Sequence, residues 1–96
     1  MDTIKVKEED GPTAVNIQYD DPVRGQVKLS FLTHRDDPLR RIMLDFCDRM
    51  DLVYSSVTFR LDGENIRETQ KPVDLGMADD DIIDAFTHLQ GGGRAS

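Results

Sequence analysis

Asp37-Pro38-Leu39-Arg40-Arg41-Ile42-Met43-Leu44-Asp45-Phe46-Cys47-Asp48-Arg49-Met50 is the strongest local signal in the chain. Asp37 is a good N-cap residue, and Pro38 suits the first helical position, where its missing N–H costs nothing. Leu39, Ile42, Met43, Phe46, Cys47 and Met50 then recur at helical spacing. One face is therefore apolar and needs something to pack on. The opposite face carries Arg40, Arg41, Asp45, Asp48 and Arg49. The pattern predicts one long helix ending near Met50 or Asp51.

On either side of this helix the hydrophobic period changes from that of a helix to that of a strand. Upstream, Val15, Ile17 and Tyr19 alternate with polar residues, and so do Val27, Leu29 and Phe31. Asp20-Asp21-Pro22-Val23-Arg24-Gly25 lies between them and is rich in turn formers. The two runs read as a hairpin. Downstream, Val57-Thr58-Phe59-Arg60-Leu61 is a third strand. Asp62-Gly63 is a favoured pair for a two-residue hairpin turn, and Glu64-Asn65-Ile66 is the short return strand. Pro72 can start a short turn of helix that ends at Gly76. Ile82 to Leu89 is the last strand, and it leads into Gly91-Gly92-Gly93. The order is ββαββαβ. If the first and last strands pair at the centre of the sheet, they run parallel, with the helix in the crossover. This is the β-grasp arrangement, an α+β fold with a mixed sheet packed on one main helix.

The bulk numbers fit one domain of this kind. Ninety-six residues suffice for one core and no more. Residues 1–13 read as a disordered, charged extension, 14–89 as the folded domain and 90–96 as a flexible tail. A net charge of −7 argues against a nucleic-acid binder, which needs a basic face. No apolar run approaches a membrane span. The lone cysteine, Cys47, cannot form an internal disulfide, which fits a reducing compartment.

The tail has two readings. Glycine has no Cβ, so Gly91-Gly92-Gly93 can lie extended in a slot too narrow for side chains. Arg94-Ala95-Ser96 would then be a removable cap. Alternatively, the glycines are only a floppy end.

The chain resembles the small ubiquitin-like modifier family, SUMO. The resemblance runs from about Val15 to Gly92. It is carried by Pro38-Leu39, Ile42-Met43 and Phe46-Cys47-Asp48-Arg49 on the helix, and by Phe59-Arg60-Leu61-Asp62-Gly63 at the second hairpin. Glu68-Thr69-Gln70, Pro72 and the run Met77 to Phe86 before Gly91-Gly92 complete it. The first hairpin is longer than usual, Thr33 replaces an apolar residue, Gln90 stands where threonine is common, and Gly93 is extra. These departures mark a divergent member, with a plant variant as one candidate.

The resemblance implies a modifier rather than an enzyme, with no cofactor. A SUMO-specific cysteine protease would cut after Gly92, or after Gly93 if the register shifts. The SUMO-activating enzyme and the SUMO-conjugating enzyme would then carry the freed carboxylate to substrate lysines as an isopeptide. Val6-Lys7-Glu8-Glu9 fits the acceptor pattern of an apolar residue, lysine, any residue and an acid, so Lys7 is a candidate site for chain formation. The alternative is a charged segment that only solvates. The resemblance also implies a groove for SUMO-interacting peptides between the second strand and the helix. Its matching positions are Phe31, Thr33, Arg41, Ile42, Phe46 and Arg49, with the arginines meeting the peptide's acids. Ile42 and Phe46 have the alternative of simply completing the core. Thr33 removes apolar area from that groove; at roughly 25 cal/mol per Å² this costs on the order of 1 kcal/mol of peptide binding. Asp62, Glu64, Asp79, Asp80 and Asp81 are candidates for docking the conjugating enzyme, against the alternative of solvated loops. They are poor candidates for a metal site, because hard cations need ligands converging from a spaced loop. The family implies a monomer found in nucleus and cytoplasm.

Cys47 lies on the apolar helix face and reads as a small hydrophobe. Neither His34 nor His88 is placed to activate it, and no nucleophile and base pair appears elsewhere. The rival to a conjugated modifier is a ubiquitin-like binding module that recruits partners by its groove alone.

Overall fold

The computed structural model describes residues 12–87. Strands β1 (Pro12–Asp21) and β2 (Gly25–His34) form the first hairpin. The Asp21 carboxylate makes its turn, with Oδ1 accepting from the backbone N–H of Val23 at 2.7 Å and of Arg24 at 3.0 Å. Those two donors favour the charged carboxylate and hold its pKa below the usual value. Gly25 then takes a φ of +85°, which a Cβ would disfavour.

Both strands are longer than their alternation suggested, and β1 begins before the expected edge of the domain. Pro12 and Thr13 belong to the sheet rather than to a disordered extension. A distant residue holds them there. Asp79 Oδ1 accepts from Ala14 N at 2.7 Å and from Thr13 Oγ1 at 3.2 Å. Thr13 pairs with Thr33 across the hairpin, and both are buried.

Helix α1 spans Arg40–Met50. It starts two residues later than Pro38 with Leu39, not Asp37, at the N-cap, and no side-chain hydrogen bond caps it among the described residues. Two backbone carbonyls from a distant loop act instead. Leu39 N donates to Gln70 O at 2.9 Å and Arg40 N donates to Glu68 O at 3.0 Å. These satisfy donors that a helix start leaves open. At the other end Asp51 adopts a left-handed conformation, φ 60°, and Leu52 N donates to Cys47 O at 2.8 Å. This is a Schellman-type stop with aspartate where glycine is usual.

A 3₁₀ turn (Tyr54–Ser56) leads into β3 (Val57–Leu61), which pairs with β4 (Glu64–Asn65). Asp62 and Gly63 both have positive φ, as a type I′ turn requires. The segment from Pro72 to Gly76 forms hydrogen-bonded turns, not the expected short helix, and closes at Gly76 with φ +64°. Strand β5 (Asp81–Thr87) completes a sheet of order β2-β1-β5-β3-β4. β5 runs parallel to β1 and antiparallel to β3, so the last strand is central, as expected. Helix α1 lies in the crossover and its apolar stripe covers one face.

The core is the meeting of that stripe with alternate strand residues. Leu39, Ile42, Met43, Phe46, Cys47 and Met50 pack with Val15, Ile17, Tyr19, Phe31, Phe59, Ile83 and Ala85. Phe46 is at its centre, with no exposed surface. It makes edge-to-face contacts with Tyr19 and Phe59, each at 6.1 Å between ring centres.

Candidate functional site

β2 is an outer strand, so one of its edges has no strand beside it among the described residues. Its odd-numbered residues face the helix and its even-numbered ones face away, following the two-residue period. Between this strand and α1 lies a groove of about 260 Å³, lined by Ser30, Phe31, Leu32, Arg41, Ile42, Asp45 and Arg49. Phe31 and Ile42 show only small edges to it, being 8% and 3% exposed. Leu32 borders the groove as part of the strand, but its side chain, 70% exposed, is on the face turned away from the helix. The Arg49 guanidinium lies over the Phe31 ring, 5.7 Å from its centre, a cation–π arrangement.

Four of the six expected groove residues, Phe31, Arg41, Ile42 and Arg49, therefore come together. Two do not. Phe46 is wholly internal, because its place on the helix points it at Tyr19 and Phe59 rather than at β2's open edge. Thr33 is 2% exposed and faces the core, so it removes no apolar area from the groove surface. Its hydroxyl makes no hydrogen bond among the described residues. Ser30, Leu32 and Asp45 were missed by sequence reasoning. Alternation marks Leu32 as outward-facing, and an outward leucine on an edge strand was the available signal.

Both groove arginines are already paired. Arg49 Nε donates to Asp45 Oδ1 at 3.0 Å, and Arg41 Nη2 lies 3.7 Å from Asp37 Oδ2. Asp45 and Arg49 are one helical turn apart, with the acid on the N-terminal side, the favourable order, whereas Asp37 precedes the helix.

The acidic candidates divide by role. Asp62 and Glu64 lie at the β3–β4 turn, and Glu64 is exposed. The β3–β5 register puts that turn at the same end of the sheet as the start of β5, so all five acids share one end. Two of them also hold the fold. Asp79 tethers the start of β1, and Asp81 Oδ2 accepts from Ala78 N at 2.9 Å. Asp80 has φ +72° and its N–H donates to Ala14 O at 2.8 Å.

Cys47 is buried, and that burial pushes its thiol pKa up, away from the reactive thiolate. His34 is exposed on the sheet's other face. Lys7, His88, Gly91, Gly92 and Gly93 lie outside the described residues.

A family model described as "Ubiquitin-2 like Rad60 SUMO-like" matches residues 23–86. The chain belongs to this SUMO-like family. Small ubiquitin-related modifier 2 of Danio rerio is 39% identical over 66 residues, covering 69% of either chain. Small ubiquitin-related modifier 2 of Arabidopsis thaliana is 38% identical over 73 residues, covering 74% of this chain and 71% of its own. Animal and plant relatives thus match the SUMO-like chain about equally. A solved ubiquitin of Caldiarchaeum subterraneum superposes with a TM-score of 0.70, covering 80% of this chain and 94% of that one. At 19% identity that likeness speaks for the ubiquitin-like fold alone. SUMO-like proteins are modifiers of the ubiquitin-like kind.

Proposed function

We propose that this SUMO-like protein is made as a precursor, trimmed to a C-terminal diglycine and joined by isopeptide bond to substrate lysines. The observation that carries the reading is where the glycines fall. Central strand β5 of a SUMO-like domain ends at Thr87, and Gly91-Gly92-Gly93 follows shortly after it in sequence. A cysteine protease hydrolyses the bond after Gly92, or after Gly93, and frees a carboxylate. The carboxylate attacks the α-phosphate of ATP, releasing pyrophosphate and forming an adenylate, and the activating enzyme's cysteine then displaces AMP to form a thioester. The conjugating enzyme's cysteine takes the acyl group over. A lysine amine then attacks the thioester carbonyl and releases the thiol. Glycine is needed because a Cβ would obstruct the narrow channels through which the strip is threaded. Lys7 serves as an acceptor when chains form. The five acids at one end of the sheet dock the conjugating enzyme, and the β2–α1 groove takes extended apolar peptides. The protein works in nucleus and cytoplasm.

The test is incubation with SUMO protease, activating enzyme, conjugating enzyme and ATP, read by mass spectrometry and by gels with and without reductant. The expected result is loss of the residues after the cleaved glycine and a reductant-sensitive adduct on each enzyme. A trimmed chain that is never charged sinks the proposal.

A further inference from the structure

The groove between β2 and α1 is not the basic trough that two arginines would suggest. Arg41 and Arg49 each lie beside a carboxylate four residues earlier in the chain, and the four charges cancel. Asp45 lines the groove itself, beside Arg49. It fixes Arg49 Nε at 3.0 Å while the guanidinium lies on Phe31. An acidic residue seated near Arg49 would have to share that cation with Asp45 and would meet a like charge. The apolar surface on the helix side of the strand is that of Phe31 and Ile42, which show small edges to the groove.

We propose that Asp45 sets the selectivity of this groove, turning it toward extended peptides whose apolar run is flanked by uncharged residues and away from acid-flanked ones. The inference rests on the reading of the groove as a peptide site. The backbone edge of β2 pairs with the peptide strand, and Phe31 and Ile42 receive its apolar side chains. Asp45 adds nothing to the attraction. It lowers the advantage of an acidic flank, which is specificity by a built-in competitor.

Two peptides test it, both carrying Val-Ile-Val-Ile, one followed by Asp-Glu-Asp-Glu and the other by Asn-Gln-Asn-Gln. Affinities are measured by fluorescence anisotropy for the wild type, Asp45→Asn and Asp48→Asn. Asp48 is exposed on the same helix and lies outside the groove, so it controls for net charge. The wild type should bind the two peptides within about three-fold of each other. Asp45→Asn should shift the ratio toward the acidic peptide by roughly two- to five-fold, the scale of an exposed ion pair. Asp48→Asn should leave the ratio unchanged. Equal shifts in the two variants, or a wild-type preference of about ten-fold or more for the acidic flank, overturn the role of Asp45 and leave the peptide site standing. If neither peptide shifts the NMR signals of β2 and α1 in any of the proteins, the groove reading falls, and this inference with it.

Discussion

Thr33 carries a methyl group and a hydroxyl into one buried site, and only the methyl belongs there. At 2% exposure its Oγ1 makes no hydrogen bond among the described residues. A buried hydroxyl without a partner costs about 1–3 kcal/mol. Thr33→Val keeps the shape and removes that cost, so it should raise unfolding free energy by about 1 kcal/mol, measured by urea titration. Tyr54 is the opposite case. Its hydroxyl donates to Glu68 Oε1 at 2.6 Å, and Arg40 Nε holds the same oxygen at 3.4 Å. Burial, then the hydrogen bond and charge of Glu68, raise its pKa well above the ordinary 10.0. The folded state therefore keeps a proton that the unfolded state has already lost. That contribution is complete below about pH 10 and is lost as pH rises from there toward the folded value. The urea midpoint of the wild type should fall above about pH 10, and Tyr54→Phe should blunt the fall. Parallel curves for the two proteins would show that another group governs the alkaline limb.

At the scale of elements, most of the fold was legible because periodicity reports burial directly. The stripe Leu39, Ile42, Met43, Phe46, Cys47, Met50 is the buried face of α1, and Asp62-Gly63 makes the tight turn it promised. What the sequence concealed is what other segments contribute. The start of α1 is satisfied by the carbonyls of Glu68 and Gln70, and the start of β1 is held by Asp79. Those bonds join residues far apart in sequence, and no local pattern encodes them. For the same reason Phe46 could not be assigned between groove and core, since helical spacing gives the face but not the depth. This yields a quantitative contrast. A capping aspartate replaced by alanine costs about 1 kcal/mol. Asp37 instead makes only an exposed ion pair with Arg41, so Asp37→Ala should cost less than about 0.5 kcal/mol by urea titration. Phe46→Ala, by contrast, empties the centre of the core and should cost about 3–5 kcal/mol. A small loss there would mean that Phe46 is less enclosed than its zero exposure implies.

For the whole molecule, the sheet sets the β2–α1 groove apart from the end of its last strand. Phe31 in β2 is level with Val15 in β1 and Asp81 at the start of β5. Thr87, where the last strand ends, is at the far end of that strand and opposite Val57 at the start of β3. At about 3.3 Å per residue the run from Asp81 to Thr87 covers roughly 20 Å. β2 also lies two strands to one side of β5 in the sheet order, about 10 Å more at a strand spacing of about 4.8 Å. Under the proposed function, a peptide in the groove and an enzyme acting beyond Thr87 would therefore meet the described domain at different ends. Sites so separated, with no shared partner, should behave independently. Leu32→Asp puts a charge on the outward face of the edge strand that a bound peptide would extend, without touching the core, and should weaken peptide binding several-fold, about 1 kcal/mol. It should leave the rate of thioester formation on the activating enzyme unchanged. Gly92→Ala should do the reverse, blocking thioester formation while peptide affinity holds. Were Leu32→Asp to slow charging as much as it weakens peptide binding, the activating enzyme would have to be reading the β2 edge as well, and the separation of the two surfaces along β5 would not be functional.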